Sequence, residues 1–397
     1  MRTEREITAD IVIAGAGHAG GAVARALREL GFPGSILLVG AERHLPHERP
    51  ALSKEALRDS AYQLSPIVTA DEWRSLGVIT ILGDAALGAD APARRVRLSS
   101  GRTIAYATLI LATGASPRRM AGPDHPGRQV LRTFDDALAI RRRAGPRTRL
   151  VIVGGGPIGL EAAASLRPAV AEVTVVEAAP RLMARCVPAD LAGQIADLHE
   201  ANGVRILVSS PVSWLRANDA GLAVGLSCGK SLEADLVIEG IGIVPETHLA
   251  EALGLATSDG LSVDVSYRTA DPAIFAIGDC ACPPGGRQET WSHAESSARA
   301  AARAIVGLAP EPAPLPYFWT DQHGARLQVA GNLTETNATV THGAARLYEK
   351  DGLIAAAAAL NAPRDFAAAR RMIGKPVPAQ PSNQRPPIAS VTLRQPS

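Results

Sequence analysis

The chain has 397 residues, of which 46% are hydrophobic and 20% charged, and a formal net charge of +2. That length allows two or three domains with a sizeable core, and the near-neutral balance argues against nucleic acid or a membrane surface as a partner. Apolar runs are broken by Gly, Pro or charge before the ~20 residues a membrane helix needs. Four cysteines without a C-x-x-C argue against a structural zinc or an iron–sulfur cluster, no metal is expected, and a cytoplasmic protein with reduced thiols is the reading.

The first predicted element is a short apolar strand, Ile11 to Ala14. It runs into Gly15-Ala16-Gly17-His18-Ala19-Gly20, then a helix from Gly20 to Leu30, a turn at Gly31 to Gly34, and a strand from Ile36 to Val39. This is a βαβ unit with a G-x-G-x-x-G loop. Gly15 permits the tight turn, Gly17 lets a pyrophosphate approach the backbone, and Gly20 lets the helix pack closely on the sheet. The free N–H groups and positive dipole end of the helix then face the phosphates. An acid ~20 positions on would take the ribose hydroxyls. The nearest one after Gly40 is Glu42, two residues late. His18 reads as a side chain tolerated at a free loop position.

Arg141 to Arg149 is basic and carries Gly and Pro, which predicts a linker or surface loop. Residues 149–177 then repeat the first unit. Strand Leu150 to Val153 leads into Gly154-Gly155-Gly156-Pro157-Ile158-Gly159, a helix through Arg167 and strand Val173 to Val176. Glu177 ends that strand. A carboxylate there accepts both ribose hydroxyls and repels a 2′-phosphate, favouring NAD over NADP, although Arg181 and Arg185 stand close in sequence.

Further on, the apolar run Ile274 to Ile277 ends in Gly278-Asp279, and a long helix is predicted from Thr290–Ser292 to Val306. Pro310, Pro312, Pro314 and Pro316 mark a connector to a smaller segment. Within that segment Ala355 to Ala359 is helical by propensity, while a buried strand fits equally well. Gln380 to Ser397, rich in Pro, Ser and Gln, reads as a loosely attached tail. Cys280 and Cys282 read as small buried residues.

Two glycine loops in strand–loop–helix context imply two dinucleotides held at once, and so electron transfer between them. Four more segments sharpen this: Arg49-Pro50-Ala51-Leu52-Ser53-Lys54, Ala112-Thr113-Gly114, Ile277-Gly278-Asp279 and Glu289-Thr290-Trp291-Ser292. With the paired loops, in this order, the chain resembles the FAD-dependent pyridine nucleotide oxidoreductases over roughly residues 8–378. Within them it is similar to the ferredoxin reductases of bacterial aromatic-ring dioxygenases and to putidaredoxin and rubredoxin reductases.

The resemblance implies an α/β, glutathione-reductase-like fold with two Rossmann-like domains and a C-terminal α/β domain. The FAD domain would comprise residues 1–115 and 242–317, the NAD domain 116–241 and the C-terminal domain 318–379, followed by a flexible tail, 380–397. Ala355 to Ala359 would be a strand, with a helix starting near Pro363. The first loop would bind FAD with Glu42, Arg49, Lys54, Thr113, Gly114, Arg132, Gly278, Asp279, Trp291 and Trp319. The second would bind NADH through Gly154, Gly156, Pro157, Ile158, Gly159, Glu177, Arg185 and Gly242. Lys54, beside flavin N5, and Glu161, near the nicotinamide and paired with Lys54, would be the catalytic residues.

Disulfide reductases of this superfamily carry a C-x-x-x-x-C pair just after the first βαβ unit, but His44 to Arg58 holds no cysteine. Electrons would therefore leave the flavin directly for an outside carrier. A small 2Fe–2S ferredoxin feeding a terminal oxygenase is the expected acceptor. Rubredoxin reductase, NADH oxidase and an NADH-sensing regulatory flavoprotein are the alternatives.

Overall fold

The computed structural model describes residues 7–219, 221–333 and 336–377. The expected tail, 380–397, lies outside the described residues. The chain divides into two units, Met1–Gln328 and Val329–Ser397.

In the first unit, β1 (Ile7–Ala14), α1 (His18–Glu29) and β2 (Ile36–Gly40) form a βαβ unit, followed by β3 (Val78–Leu82) and β4 (Thr103–Leu111). The sheet order is β3-β2-β1-β4, all parallel, and Val12 stands opposite both Leu37 and Leu109. An antiparallel pair, Ala86–Asp90 and Arg95–Leu98, extends the β4 side. Both faces of this sheet are covered, which is why Ile11 to Ala14 of β1 and the residues of β2 read as unbroken apolar runs. Ile11, Ile13, Ile36 and Leu38 face a core with α1, while Val12, Ala14, Leu37 and Val39 face the opposite core. This is the period-2 alternation of a strand.

After α2 (Phe134–Arg143) comes the second βαβ unit: β5 (Arg149–Val153), α3 (Pro157–Leu166) and β6 (Glu172–Val176). It continues through α4 (Ala189–Ala201), β7 (Val204–Leu207) and β8 (Leu236–Glu239). These strands form a second parallel sheet in the order β7-β6-β5-β8, with Arg128–Gln129 at its edge. The chain then returns to the first sheet. β9 (Ile274–Ala276) pairs in parallel with β4, and α5 (Trp291–Ile305) lays Ala294, Ala298, Ala301 and Ala302 into the α1 core. Side chains this small let the two helices approach closely. Strand β10 (Tyr317–Gln322) follows.

In the second unit β11 (Asn337–His342), β12 (Ala345–Lys350) and β13 (Leu353–Leu360) pair antiparallel, and α6 (Pro363–Arg370) follows. Ala355 to Ala359 lies inside β13, where Ala356, Ala357 and Ala358 are fully buried. Sheet pairing and burial override the helical propensity of alanine there.

Three boundaries differ from expectation by two residues or more, the first being β1, which starts at Ile7 rather than Ile11. Helix α1 starts at His18 rather than Gly20, with Gly17 as its N-cap. The loop predicted over Arg141 to Arg149 is shorter, because Arg141, Arg142 and Arg143 form the last turn of α2 and Arg149 opens β5. Three arginines suit the negative end of a helix dipole as well as they suit a loop. Among the described residues no helix is long and apolar enough to cross a membrane.

Candidate active site

At the first loop, Gly15 has φ +121°, and a Cβ there would lie 2.1 Å from the Ala112 carbonyl oxygen. A Cβ on Gly20 would lie 1.9 Å from the Gly15 oxygen. Gly17 differs: only Arg49 Nη2 comes near its missing Cβ, at 3.5 Å. The outer glycines thus serve packing and the middle one leaves space. Gly17 makes no side-chain cap and the first turn of α1 holds no acid, so the positive end of the helix is open to an anion.

The other residues expected around this loop converge on it. Arg49 donates from Nη2 to Glu42 Oε1 at 2.9 Å and from Nη1 to the Arg132 carbonyl. Arg132 donates to Asp279 Oδ2 at 2.7 Å and comes within 3.3 Å of the space a Cβ on Gly114 would fill. Asp279 follows β9, and Gly278 there has φ +69°, a turn that favours glycine. Thr113 donates its hydroxyl to the Glu246 carbonyl at 2.7 Å. Trp291 opens α5 and meets Trp319 edge-on, with ring centroids 5.9 Å apart. Glu42 Oε2 and Trp291 Nε1 are buried without a protein partner. Buried polar atoms without partners are costly, so the pair suits a ligand carrying hydroxyl and polar ring groups.

His18 has a definite place. Its Nε2 lies 2.7 Å from Glu295 Oε1 and its ring lies 5.3 Å from Trp291, which ties α1 to α5. The His18 hydrogen bond holds the Glu295 carboxyl below its ordinary range.

At the second loop, Gly154 has φ +109°, and its Cβ would lie 2.2 Å from the Gly240 oxygen. A Cβ on Gly159 would lie 2.4 Å from the Gly154 oxygen, whereas nothing lies within 4 Å of the one on Gly156. Pro157 begins α3 and Ile158 is 49% exposed. Glu177 accepts from Gly155 N and from Ala179 N, both at 2.7 Å, which fixes its carboxylate over the loop. Arg185 Nη2 stands 3.6 Å from the Cβ space of Gly242. Arg181 instead donates to the carbonyls of Ala184 and Val187.

A buried ion pair joins the segment that carries Arg49 to the helix that follows the second loop. Lys54 comes from the segment after β2, Glu161 from α3, and Nζ to Oε2 is 2.9 Å. Nothing local in the sequence marks the remaining groups as partners of Glu161. Ser53 donates to Glu161 Oε2, Thr320 donates to Oε1 at 2.7 Å and Asp321 N at 3.3 Å. Lys54 also donates to the Pro50 carbonyl at 3.0 Å. Every lone pair direction of the carboxylate is therefore engaged, as a buried charge requires.

The four cysteines are free. Burial pushes the thiols of Cys186 and Cys280 up, so neither is a thiolate at neutral pH.

Residues 9–298 match the family described as pyridine nucleotide-disulphide oxidoreductase, and residues 317–392 match the one described as reductase C-terminal. The chain is 38% identical to terpredoxin reductase of a Pseudomonas species, covering 92% of each chain. It is 38% identical to the anthranilate 1,2-dioxygenase system ferredoxin–NAD(+) reductase component of Burkholderia cepacia, over 91% of this chain and 93% of that one. A chain in the crystal structure of the covalent putidaredoxin reductase–putidaredoxin complex superposes with a TM-score of 0.88 at 32% identity, with 94% of each covered.

Proposed function

The chain belongs to the pyridine nucleotide-disulphide oxidoreductase family, and from that premise we propose that it is a cytoplasmic, NADH-dependent ferredoxin reductase. Its acceptor is a small 2Fe–2S ferredoxin that feeds the terminal oxygenase of an aromatic-ring dioxygenase system. The observation that carries this reading is the buried Lys54–Glu161 pair. A cation from one dinucleotide-type unit meets a carboxylate from the other, at the point where two redox rings would face each other.

The first site fits FAD. It offers an uncapped helix N-terminus, Asp279 for ribityl hydroxyls, Arg49 and Arg132 for charge, and buried polar atoms in need of partners. The second fits NADH, with Gly156 open to a pyrophosphate and Glu177 held as an acceptor for ribose hydroxyls. The chemistry there would be that of a bound flavin, which accepts a hydride and releases single electrons. The protein's residues orient the two rings and exclude water. Lys54 favours negative charge on the ring beside it, and Glu161 favours the positive charge that hydride donation leaves on a nicotinamide.

The domain partition follows the same reading: residues 1–115 and 242–317 for FAD, 116–241 for NAD and 318–379 for the C-terminal domain. The absence of cysteine between His44 and Arg58 leaves no dithiol to relay electrons inside the chain.

Purified protein is expected to be yellow, and NADH to bleach the flavin band under anaerobic conditions. Protein that takes up no FAD overturns the reading. Cytochrome c reduction should rise steeply when the ferredoxin is added and fall with salt. Oxygen consumption without a carrier would favour an oxidase, and very slow turnover an NADH sensor.

A further inference from the structure

Glu161 is the end of a longer line of buried polar groups. Its Oε1 takes the Thr320 hydroxyl at 2.7 Å, and Thr320 Oγ1 lies 3.0 Å from Gln322 Nε2. Gln322 Oε1 lies 2.8 Å from His199 Nε2, on α4, and His199 Nδ1 lies 3.2 Å from His323 Nε2. Thr320, Gln322 and His199 are 1%, 2% and 0% exposed, so water offers them no substitute partners.

Elementary donor and acceptor rules give this line a direction. A carboxylate only accepts, so Thr320 donates to Glu161 and must accept from the Gln322 amide nitrogen. The amide oxygen is then left to His199. An amide oxygen only accepts, so His199 carries its ring proton on Nε2 and accepts at Nδ1 from His323. Every donor points toward Glu161.

We propose that Thr320, Gln322 and His199 are positioning residues that hold Glu161 as a carboxylate beside Lys54, with the Nε2–H tautomer of His199 setting the direction of the line. The proposal rests on the role given to Glu161 above. A proton placed on Glu161 Oε1, toward Thr320, reverses the line. Glu161 then donates to Thr320, Thr320 donates to a flipped Gln322 amide, and His199 and His323 each shift a ring proton to the other nitrogen. Only Glu161 gains a proton, taken from solvent, and every other group keeps its count. Among the described residues, the charged and titratable groups bonded to the line are Lys54 at Glu161 and His323 at His199. The Asp321 carboxylate beside it is turned to Arg326 at 2.6 Å.

The test combines kinetics and infrared spectroscopy on Thr320→Val, Thr320→Ser and His199→Phe. In the FAD-loaded protein, Thr320→Val and His199→Phe should move the acid limb of NADH-driven flavin reduction to higher pH by about one unit. That is about tenfold slower on the acid side with the alkaline rate kept. Thr320→Ser, which keeps the hydroxyl, should restore the parent profile. A merely structural role would lower the rate equally at every pH. In infrared pH titrations the protonated carboxyl band removed by Glu161→Gln should appear at higher pH in Thr320→Val and His199→Phe. If that band moves and the hydride step does not, the positioning line stands and the placement of Glu161 at the nicotinamide fails. If the band does not move, the proposal fails. Nitrogen-15 spectra of the wild-type holoprotein provide a check that needs no variant. His199 should be neutral and protonated on Nε2 at pH 7, and an Nδ1–H tautomer overturns the proposal.

Discussion

The two glycine loops share a backbone and differ in what surrounds it. At both Gly15 and Gly154 a carbonyl oxygen fills the space of a Cβ, at 2.1 and 2.2 Å, and φ is positive. At both Gly17 and Gly156 that space is open or nearly so. Around the first loop, Arg49, Arg132, Asp279 and Trp291 close in, and Glu42 and Trp291 keep buried atoms unpaired. Around the second, Ile158 is half exposed and one carboxylate, Glu177, is fixed in place. The backbone of such a loop accounts for phosphate recognition. Its surroundings account for whether the ligand stays, and the contrast suits a resident FAD and a visiting NADH.

The largest effect is expected from filling the space the two loops share. Gly15→Ala and Gly154→Ala each drive a methyl into a backbone carbonyl at positive φ. Each should cost about 4 kcal/mol or more in urea unfolding, and a mild effect at one alone would show that the loops are not equivalent.

Next in size is the pair that joins the two sites. Lys54→Met leaves the buried Glu161 carboxylate without a countercharge and should cost about 3–5 kcal/mol. The same denaturation measurement checks it. A loss below about 1 kcal/mol, the range of an exposed pair, would mean the charge is not confined.

The acid limb of stability tests the polar line that ends on Glu161. Burial lowers His199 from 6.5 to about 4. Between those values the unfolded chain binds the extra proton and the folded one does not. The contribution of His199 is therefore full above pH 6.5 and is lost as pH falls toward about 4, by up to about 3 kcal/mol. His199→Phe should flatten that part of the stability–pH curve, and an unchanged slope would assign it to other groups.

Smaller effects sharpen the contrast between resident and visitor. Glu177→Ala removes the acceptor of two loop N–H groups and should cost about 1–3 kcal/mol. It should erode the preference for NADH over NADPH while FAD content stays constant. Smallest of all for stability, within about 0.5–1 kcal/mol, are Gly17→Ala and Gly156→Ala, which meet open space in the protein. Gly17→Ala should lower FAD content, and Gly156→Ala should raise KM for NADH about tenfold at unchanged FAD. Equal effects of both on FAD would dissolve the distinction.

Much of this organisation was legible in the residues. Both βαβ units follow from apolar runs, glycine spacing and alanine-rich helices, and Glu177 follows from its distance to the second loop. Boundaries were harder where one residue type serves two purposes. Arg141 to Arg143 suit a loop and equally a helix C-terminus, and the capping box of Thr133 and Asp136 was the missed signal for α2. Ala355 to Ala359 shows the limit of propensity, since alanine's helical preference is small beside the gain from a buried sheet position. Thr320 sits beside Trp319, and nothing local marks it as a partner of Glu161 or Gln322 as the next link in the line.

By itself the sequence determined the two loops, because a tight turn, a close backbone approach and an uncapped helix start depend on residues a few positions apart. Only the tertiary structure decided what surrounds Glu161. Ser53 and Thr320 lie 108 and 159 positions from it, and His199 reaches it only through Gln322 and Thr320. A buried carboxylate takes whatever donors the packing of distant elements brings within 3 Å, and no spacing rule along the chain encodes that meeting.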